Sequence, residues 1–354
     1  MTFVLSGCLP FSCGKRQSRD LFPADSLSRA LAATISVDTL EVVDQLRPES
    51  PLLSYPSSIG YAPDGTLWVG DLLSHHIVGF AESGTVNQSL LFDELKYPYI
   101  LGFRSDTLVV FTPEDPRILQ IKNAEIVRTV TLPGDPPVGT GYQYATTYDG
   151  GYFYKVINQN FGGYIARLSN RGQETARWQL PGEYWRYAGA LRMWSDSLLS
   201  LSGYLPQVHV LPPRSASAEQ DANQGLDSLA LHGFDSPMLS RTRLFMLDEL
   251  NQPPLLSAAA VAIGERLFVL NMRPGWLRVD VFDRSGDLQY ILTQPAPEFN
   301  TEYFPTDLAV RILNTRAGVV ENAGETGPGS ATLYELAVSV YKPEARIDRF
   351  RWRE

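Results

Sequence analysis

Cysteine is nearly missing from this chain. The 354 residues hold two, Cys8 and Cys13, both ahead of the first strand-like stretch. A bridge between them would close only a small loop, so a disulfide framework for the body is excluded. Histidine is scarce as well, with four in all, which is thin material for zinc, whose sites want three or four protein ligands. No apolar run reaches the ~18 residues of a membrane-spanning helix. No block of lysine and arginine occurs, and acidic residues outnumber basic ones 39 to 30. Nucleic acid and anionic membrane surfaces are therefore not expected as partners. A G-x-S-x-G elbow, a phosphate loop and a dinucleotide fingerprint are all lacking.

What is present points to β structure. Hydrophobic residues make up 44% of the chain and aromatics 11%, with 28 glycines, a balance that suits strands and tight turns. One unit of strand, turn and strand recurs. It reads "YAPDGTLWVG" (Tyr61 to Gly70), "GFRSDTLVVF" (Gly102 to Phe111), "TTYDGGYFYKV" (Thr146 to Val156), "RMWSDSLLSLS" (Arg192 to Ser202) and "AIGERLFVLN" (Ala262 to Asn271), with a weaker sixth at Val310 to Glu321. Anchored at Leu67, Leu108, Tyr152, Leu198, Leu267 and Ala317, the steps are 41, 44, 46, 69 and 50 residues. Periods of about 40–50 residues with short strands mark propeller blades. Each unit adds a third strand, such as "RILQIK" or "LRVDVFD", the last unit's being "ATLYELAVSVY"; several add a fourth, such as "EIVRTVTLP".

The expected fold is thus all-β: a six-bladed propeller over residues 33–354, behind a leader or flexible N-terminus at 1–32 that holds a short helix over Asp25 to Ala33. Ile35 to Leu46 reads as a strand that completes the blade made by the C-terminal "ARIDRFRWR" and removes an exposed sheet edge. Pro212 to Pro237, rich in Ser, Ala, Gln and Asp, reads as a loop, and Glu321 to Ala331 as a long glycine-rich turn within the last blade. Two alternatives stay open: a β-sandwich or pair of sheet domains, and a seventh blade hidden in the long fourth interval.

"PDGTLWVGD" (Pro63 to Asp71) resembles the blade-opening motif of the NHL and six-bladed, TolB-like propeller superfamily. That resemblance agrees with the fold. It also brings in propeller enzymes, the gluconolactonase-like and paraoxonase-like calcium hydrolases and the peptide-amidating lyases. The two hydrolase groups project a Glu, Asn and Asp set into the channel. The expected inner strands here offer mostly small apolar residues, with Thr146, Arg192 and Asp307 as exceptions. Separately, "LSGC" (Leu5 to Cys8) resembles the bacterial lipoprotein box, which implies lipidation of Cys8; four residues precede it.

In a propeller, the links between blades and the loops between second and third strands share one face. Here the links are rich in tyrosine: "SYPSS" at Tyr55, "KYPYI" at Tyr97 and Tyr99, "GYQYA" at Tyr142 and Tyr144, "EYWRYAG" around Trp185 and Arg186, and "EYFPT" at Tyr303. Such a ring of aromatics would grip a sugar, a peptide or an apolar ligand. The loops add Asp71 and His75, Asn158, Asn271 and Arg273. The candidate ligand-binding set is therefore Asp71, His75, Tyr99, Tyr144, Asn158, Trp185, Arg186, Asn271, Arg273 and Tyr303. Calcium, which needs only oxygen ligands, is the cofactor that these loops would admit.

The function expected from the sequence is binding, by an envelope-associated or secreted propeller that takes a small molecule, glycan or peptide on its aromatic face, or another protein. The membrane enters only through a lipid on Cys8. The alternative is a calcium-dependent hydrolase or lyase in the central channel, tested by whether three or more of Asp71, Asp307, Glu302, Glu321, Asn158 and Asn271 converge. A third reading is an interaction scaffold that uses outer blade edges or the Pro212 to Pro237 loop.

Overall fold

The computed structural model describes residues 36–48, 52–133, 141–158, 162–182, 187–202, 207–211, 227–231, 257–271, 277–295, 303–313 and 332–354. Two short strands come first, β1 (Ser36–Thr39) and β2 (Glu41–Leu46). Blade 1 follows as β3 (Pro56–Tyr61), β4 (Leu67–Asp71), β5 (Ile77–Phe80) and β6 (Val86–Leu90), and blade 2 as β7 (Tyr99–Arg104), β8 (Thr107–Thr112), β9 (Arg117–Lys122) and β10 (Glu125–Thr131). Blade 3 is β11 (Gly141–Tyr148), β12 (Gly151–Asn158), β13 (Gly162–Ser169) and β14 (Glu174–Leu180). Blade 4 is β15 (Leu191–Trp194), β16 (Ser197–Leu201), β17 (Gln207–Leu211) and β18 (Asp227–Ala230). Blade 5 holds β19 (Ser257–Ile263), β20 (Arg266–Asn271), β21 (Arg278–Phe282) and β22 (Leu288–Thr293). Blade 6 holds β23 (Phe304–Leu313), β24 (Leu333–Lys342) and β25 (Arg346–Arg353). Among the described residues the sheets number six, each an antiparallel meander in its core, which makes a six-bladed propeller and not a sandwich.

The N-terminal strand closes the last blade. β2 pairs antiparallel with β25, setting Val42 against Phe350 and Leu46 against Ile347. The segment does more than was expected of it: just before, β1 adds parallel to β22 of blade 5, with Val37 opposite Ile291. Leu40, fully buried between the two strands, sits in the apolar cluster of that seam. The Trp352 indole N–H donates to Asp38 at 2.9 Å, and Arg349 grips Asp44 from β25. One short stretch therefore ties the first residues of the fold to two blades at once and covers both edges.

The apolar core is not one mass but six clusters, each at a seam between neighbouring blades. Strand alternation explains this: each sheet presents one face to the blade before it and the other to the blade after it. The middle strands are buried on both faces, as in β21, whose five residues are all buried, while outer β10 alternates with exposed positions. Glycine serves close approach at Gly70, where a Cβ would lie 2.5 Å from Ser58 Oγ and 2.6 Å from the Pro98 carbonyl of the next blade.

Two expectations are corrected and two lie out of reach. Asp227–Ala230 is the outer strand of blade 4, not part of a loop, because it finds edge partners in β17, with Leu229 opposite Val208. In the last blade "LYELAVSVYK" is the second strand, not the third, since β23 itself runs on to Leu313 and pairs with it over its full length. The Asp25 to Ala33 helix and the Glu321 to Ala331 turn lie outside the described residues.

Candidate functional site

The inter-blade links and the second-to-third strand loops do meet on one face, and there they enclose a cavity of about 480 Å³. Its walls are Tyr55, Tyr97, Tyr99, Tyr144 and Phe304 from the links, with Leu72 and Pro113 from the loops. Hydroxyl and amide groups of Ser57, Gln143 and Thr306 supply polarity, and among the described residues no charged side chain lines it. The rings also support one another. Tyr55 packs on Tyr341 at 4.3 Å, and Phe304 meets Tyr341 edge-on at 6.1 Å. His75 meets Tyr97 edge-on at 4.9 Å, while its Nδ1 accepts the Tyr97 backbone N–H at 3.1 Å. Both residues hold positive φ, 59° and 53°, so the rim takes an uncommon backbone conformation there. Burial, then the neighbouring Tyr341, pushes the Tyr55 phenol up.

Beneath the floor lies a charged knot on the propeller axis. Arg192 of β15 donates to the Tyr99 hydroxyl at 2.9 Å and to the Ala260 carbonyl at 2.8 Å, and approaches Asp307 Oδ1 at 3.5 Å. The other Asp307 oxygen accepts the Ile59 N–H at 3.0 Å. The partners come from β3, β7, β15, β19 and β23, the innermost strands of five blades. Burial raises the Asp307 carboxyl to about 6, against the lowering pull of Arg192 and of two backbone N–H groups. Burial also raises the Tyr99 phenol, which Arg192 partly offsets. The Tyr99 oxygen accepts from Arg192, so its own O–H hydrogen stays available.

A second buried cation stands behind Tyr144. Lys155 of β12 is fully buried, and its Nζ lies 4.7 Å from the Tyr144 ring centroid. It donates to the Tyr187 carbonyl at 2.7 Å and the Ser200 hydroxyl at 3.1 Å. Desolvation holds its ammonium well below the usual lysine range. Nothing in the sequence separates this lysine from others, since its burial depends on the next blade.

The residues singled out from the sequence scatter into different fates. Tyr99 and Tyr144 wall the cavity and His75 supports its rim. Asp71 is fully buried, and its carboxylate accepts four backbone N–H groups, from Ser54, Tyr55, Leu73 and Ser74, at 2.6–3.0 Å. It shapes the Tyr55 link and offers no free oxygen edge to a ligand. Tyr303 is 5% exposed and belongs to the blade 5–blade 6 seam, where burial raises its phenol strongly; its neighbour Phe304 takes the cavity wall instead. Asn158 and Asn271 end β12 and β20, opposite Gly141 and Ser257. Trp185, Arg186, Arg273 and Cys8, and the side chain of Asn271, lie outside the described residues. Phe111, Gln143 and Thr306 were missed, although Gln143 and Thr306 stand one residue from Tyr144 and Asp307.

A metal does not fit the described part of the channel. Asp71 is taken up by backbone and Asp307 faces a guanidinium, so the cation beside the axial carboxylate is built in. Among the described residues no three His, Cys, Asp or Glu side chains gather.

No family model and no curated protein sequence matches this chain. Solved structures do. Regucalcin, a calcium-binding protein from Agrobacterium tumefaciens, is 12% identical with a TM-score of 0.54, covering 89% of this chain and 95% of that one. A streptogramin B lyase is 12% identical with a TM-score of 0.51, covering 89% and 88%. A catalytically inactive virginiamycin B lyase from Staphylococcus aureus, in a structure with quinupristin, is 13% identical with a TM-score of 0.50, covering 87% of each chain. At such identity the likeness is one of fold.

Proposed function

We propose that the aromatic funnel binds an amphipathic organic ligand and that the protein acts on it there, as a lyase or hydrolase at the mouth of the central channel. One observation carries this reading: a ring-walled cavity rests on a buried Tyr99–Arg192–Asp307 group whose acid titrates near 6. Perturbed acids under a cavity are candidates for functional sites. The rings supply stacking and apolar contact. Tyr99 is the group placed to touch the ligand, giving its O–H hydrogen to a carbonyl or leaving oxygen. Arg192 polarises the phenol and steadies the charge it would gain. Asp307 acts through Arg192 and is a positioning residue. Two of the similar solved structures are lyases, which supports chemistry over passive capture. Calcium has no part in this reading, because the described axial residues do not suit it.

The test uses quinupristin and a set of cyclic and linear esters and amides, followed by chromatography and mass spectrometry. An unsaturated product marks a lyase, and an added water marks a hydrolase. Tyr99→Phe keeps the ring, so affinity should change little while turnover falls by about 10²–10⁴-fold. Binding without any turnover in the wild type would reduce the site to the second reading, a binding protein. An exported setting, the NHL-like kinship of "PDGTLWVGD" and a lipid on Cys8 belong to the same proposal. Metabolic labelling with a radioactive fatty acid checks the last of these, with Cys8→Ser as the comparison.

A further inference from the structure

The face opposite the funnel carries a pattern of its own. At four seams between blades an arginine lies over an aromatic ring: Arg311 over Tyr61, Arg104 over Tyr152 and Arg284 over Trp194, each at 4.5 Å, and Arg266 over Tyr290 at 5.9 Å. Acceptors on a neighbouring strand, on turns or at the chain end hold each one. Arg311 reaches Glu335 at 2.8 Å, Arg104 the Gly151 carbonyl at 2.6 Å, and Arg284 Glu265 at 3.0 Å, while Arg266 is bound to Glu354 at 2.8 Å. A guanidinium suits this place because it stacks on a ring and still donates in its own plane.

The seam between blades 1 and 2 has the ring and the acids but not the cation. In its place is a cavity of about 430 Å³, within the ~300–1,000 Å³ usual for ligand sites. Trp68 and Phe103 wall it, and Asp64, Asp106, Gln88 and Asn123 border it. Among the described residues no lysine or arginine lies over Trp68 or Phe103. Asp106 pairs with exposed Lys122 at 2.8 Å, and Asp64 accepts the Thr66 N–H at 2.9 Å. Tight turns with Ser105, Asn123 and Ala124 at positive φ reverse the chain in few residues, which leaves the cavity open.

We propose that this seam is a binding site for a guanidinium group on an apolar stem, as an arginine side chain presents it. The ligand completes the arrangement that four other seams build from their own chain. Its plane covers the Trp68 indole, its N–H groups meet Asp64 and Asp106, and its methylenes lie on the apolar floor formed by Leu90, Leu108 and Ile121. The site is remote from the funnel and stands whether or not the funnel reading holds.

The test is calorimetric titration of the full chain with N-acetyl-arginine amide and N-acetyl-citrulline amide, which share a shape and differ in charge. The arginine derivative should bind roughly tenfold more tightly or better. The Asp64→Asn, Asp106→Asn double variant should lose a similar factor; both positions are exposed and asparagine keeps the turn acceptor, so folding is preserved. Gln88→Arg supplies the missing guanidinium, and should raise the melting temperature and block binding. A leucyl-arginine amide that binds more tightly than the capped residue identifies a peptide as the source, and equal binding identifies a free small molecule. Equal affinity for arginine and citrulline derivatives, unchanged binding in the double variant, or no saturable binding of either compound would overturn the assignment.

Discussion

Arg192 and Lys155 stand behind neighbouring parts of one wall, the first behind Tyr99 and the second behind Tyr144. Both are cations removed from water, and their surroundings answer them differently. Arg192 has a carboxylate, a phenol and carbonyls, and it cannot give up its proton. Its charge is therefore permanent, and it pulls down the proton affinities that burial raises at Asp307 and Tyr99. Among the described residues Lys155 has carbonyls, a hydroxyl and a ring as partners but no carboxylate. Its adjustment falls on itself, through a lowered affinity for the proton. A fixed charge offsets the effect of burial on its neighbours, whereas a buried lysine beside carbonyls, a hydroxyl and a ring has its own proton affinity lowered.

Substitutions at these positions would break that contrast. The largest effect is expected from Arg192→Met, which strands a buried carboxylate. It should cost about 3–5 kcal/mol at pH 7 in urea unfolding. The loss should shrink near pH 5, where Asp307 becomes protonated; an equal loss at both values would mean that the pair does not interact.

Asp307→Asn sharpens the same side. The carboxyl is raised from 3.8 to about 6, so the folded state holds its proton more tightly than the unfolded state. That contribution is complete below the unfolded value and is lost as pH rises through 6. It amounts to about 3 kcal/mol across the interval. The variant-minus-wild-type difference in unfolding free energy should therefore move in favour of the variant between pH 4 and pH 7. A difference independent of pH would place Asp307 in an ordinary environment.

Lys155→Met should cost only about 1–3 kcal/mol at neutral pH, the worth of its lost hydrogen bonds. Because the folded pKa is depressed, the stability that wild type gains over the variant is present at high pH and falls as pH drops below 10.5. Parallel pH profiles would show that the lysine keeps its charge. The smallest effect belongs to Tyr144→Leu, about 1 kcal/mol in stability from the lost ring–cation contact. It should also open Lys155 to the funnel, read as faster acetylation by an amine-reactive reagent.

The legibility of the fold came from repetition. Leu67, Leu108, Tyr152 and Leu198 mark second strands at steps of 41, 44 and 46 residues, Leu267 follows after a longer step of 69, and each is buried at a seam. Closure was legible because Val42 and Leu46 lie near the start and Phe350 and Ile347 near the end. The extra pairing of β1 with blade 5 was not, since a four-residue parallel edge strand leaves no pattern of its own. In the site, Tyr99 and Tyr144 were found by their place in the links, while Tyr303 and Phe304 exchanged roles because side chains alternate from one residue to the next.

Local pattern alone determined that this chain is all-β and built from repeated strand–turn–strand units joined by tyrosine-rich links, because strand period, turn residues and repeat length act over short stretches of chain. Tertiary structure alone decided which groups meet across the ring. Arg192 finds Asp307 115 residues away, and Lys155 loses its water to a blade that begins dozens of residues later. Charge and proton affinity depend on distances in space, and those arise only when the ring has closed.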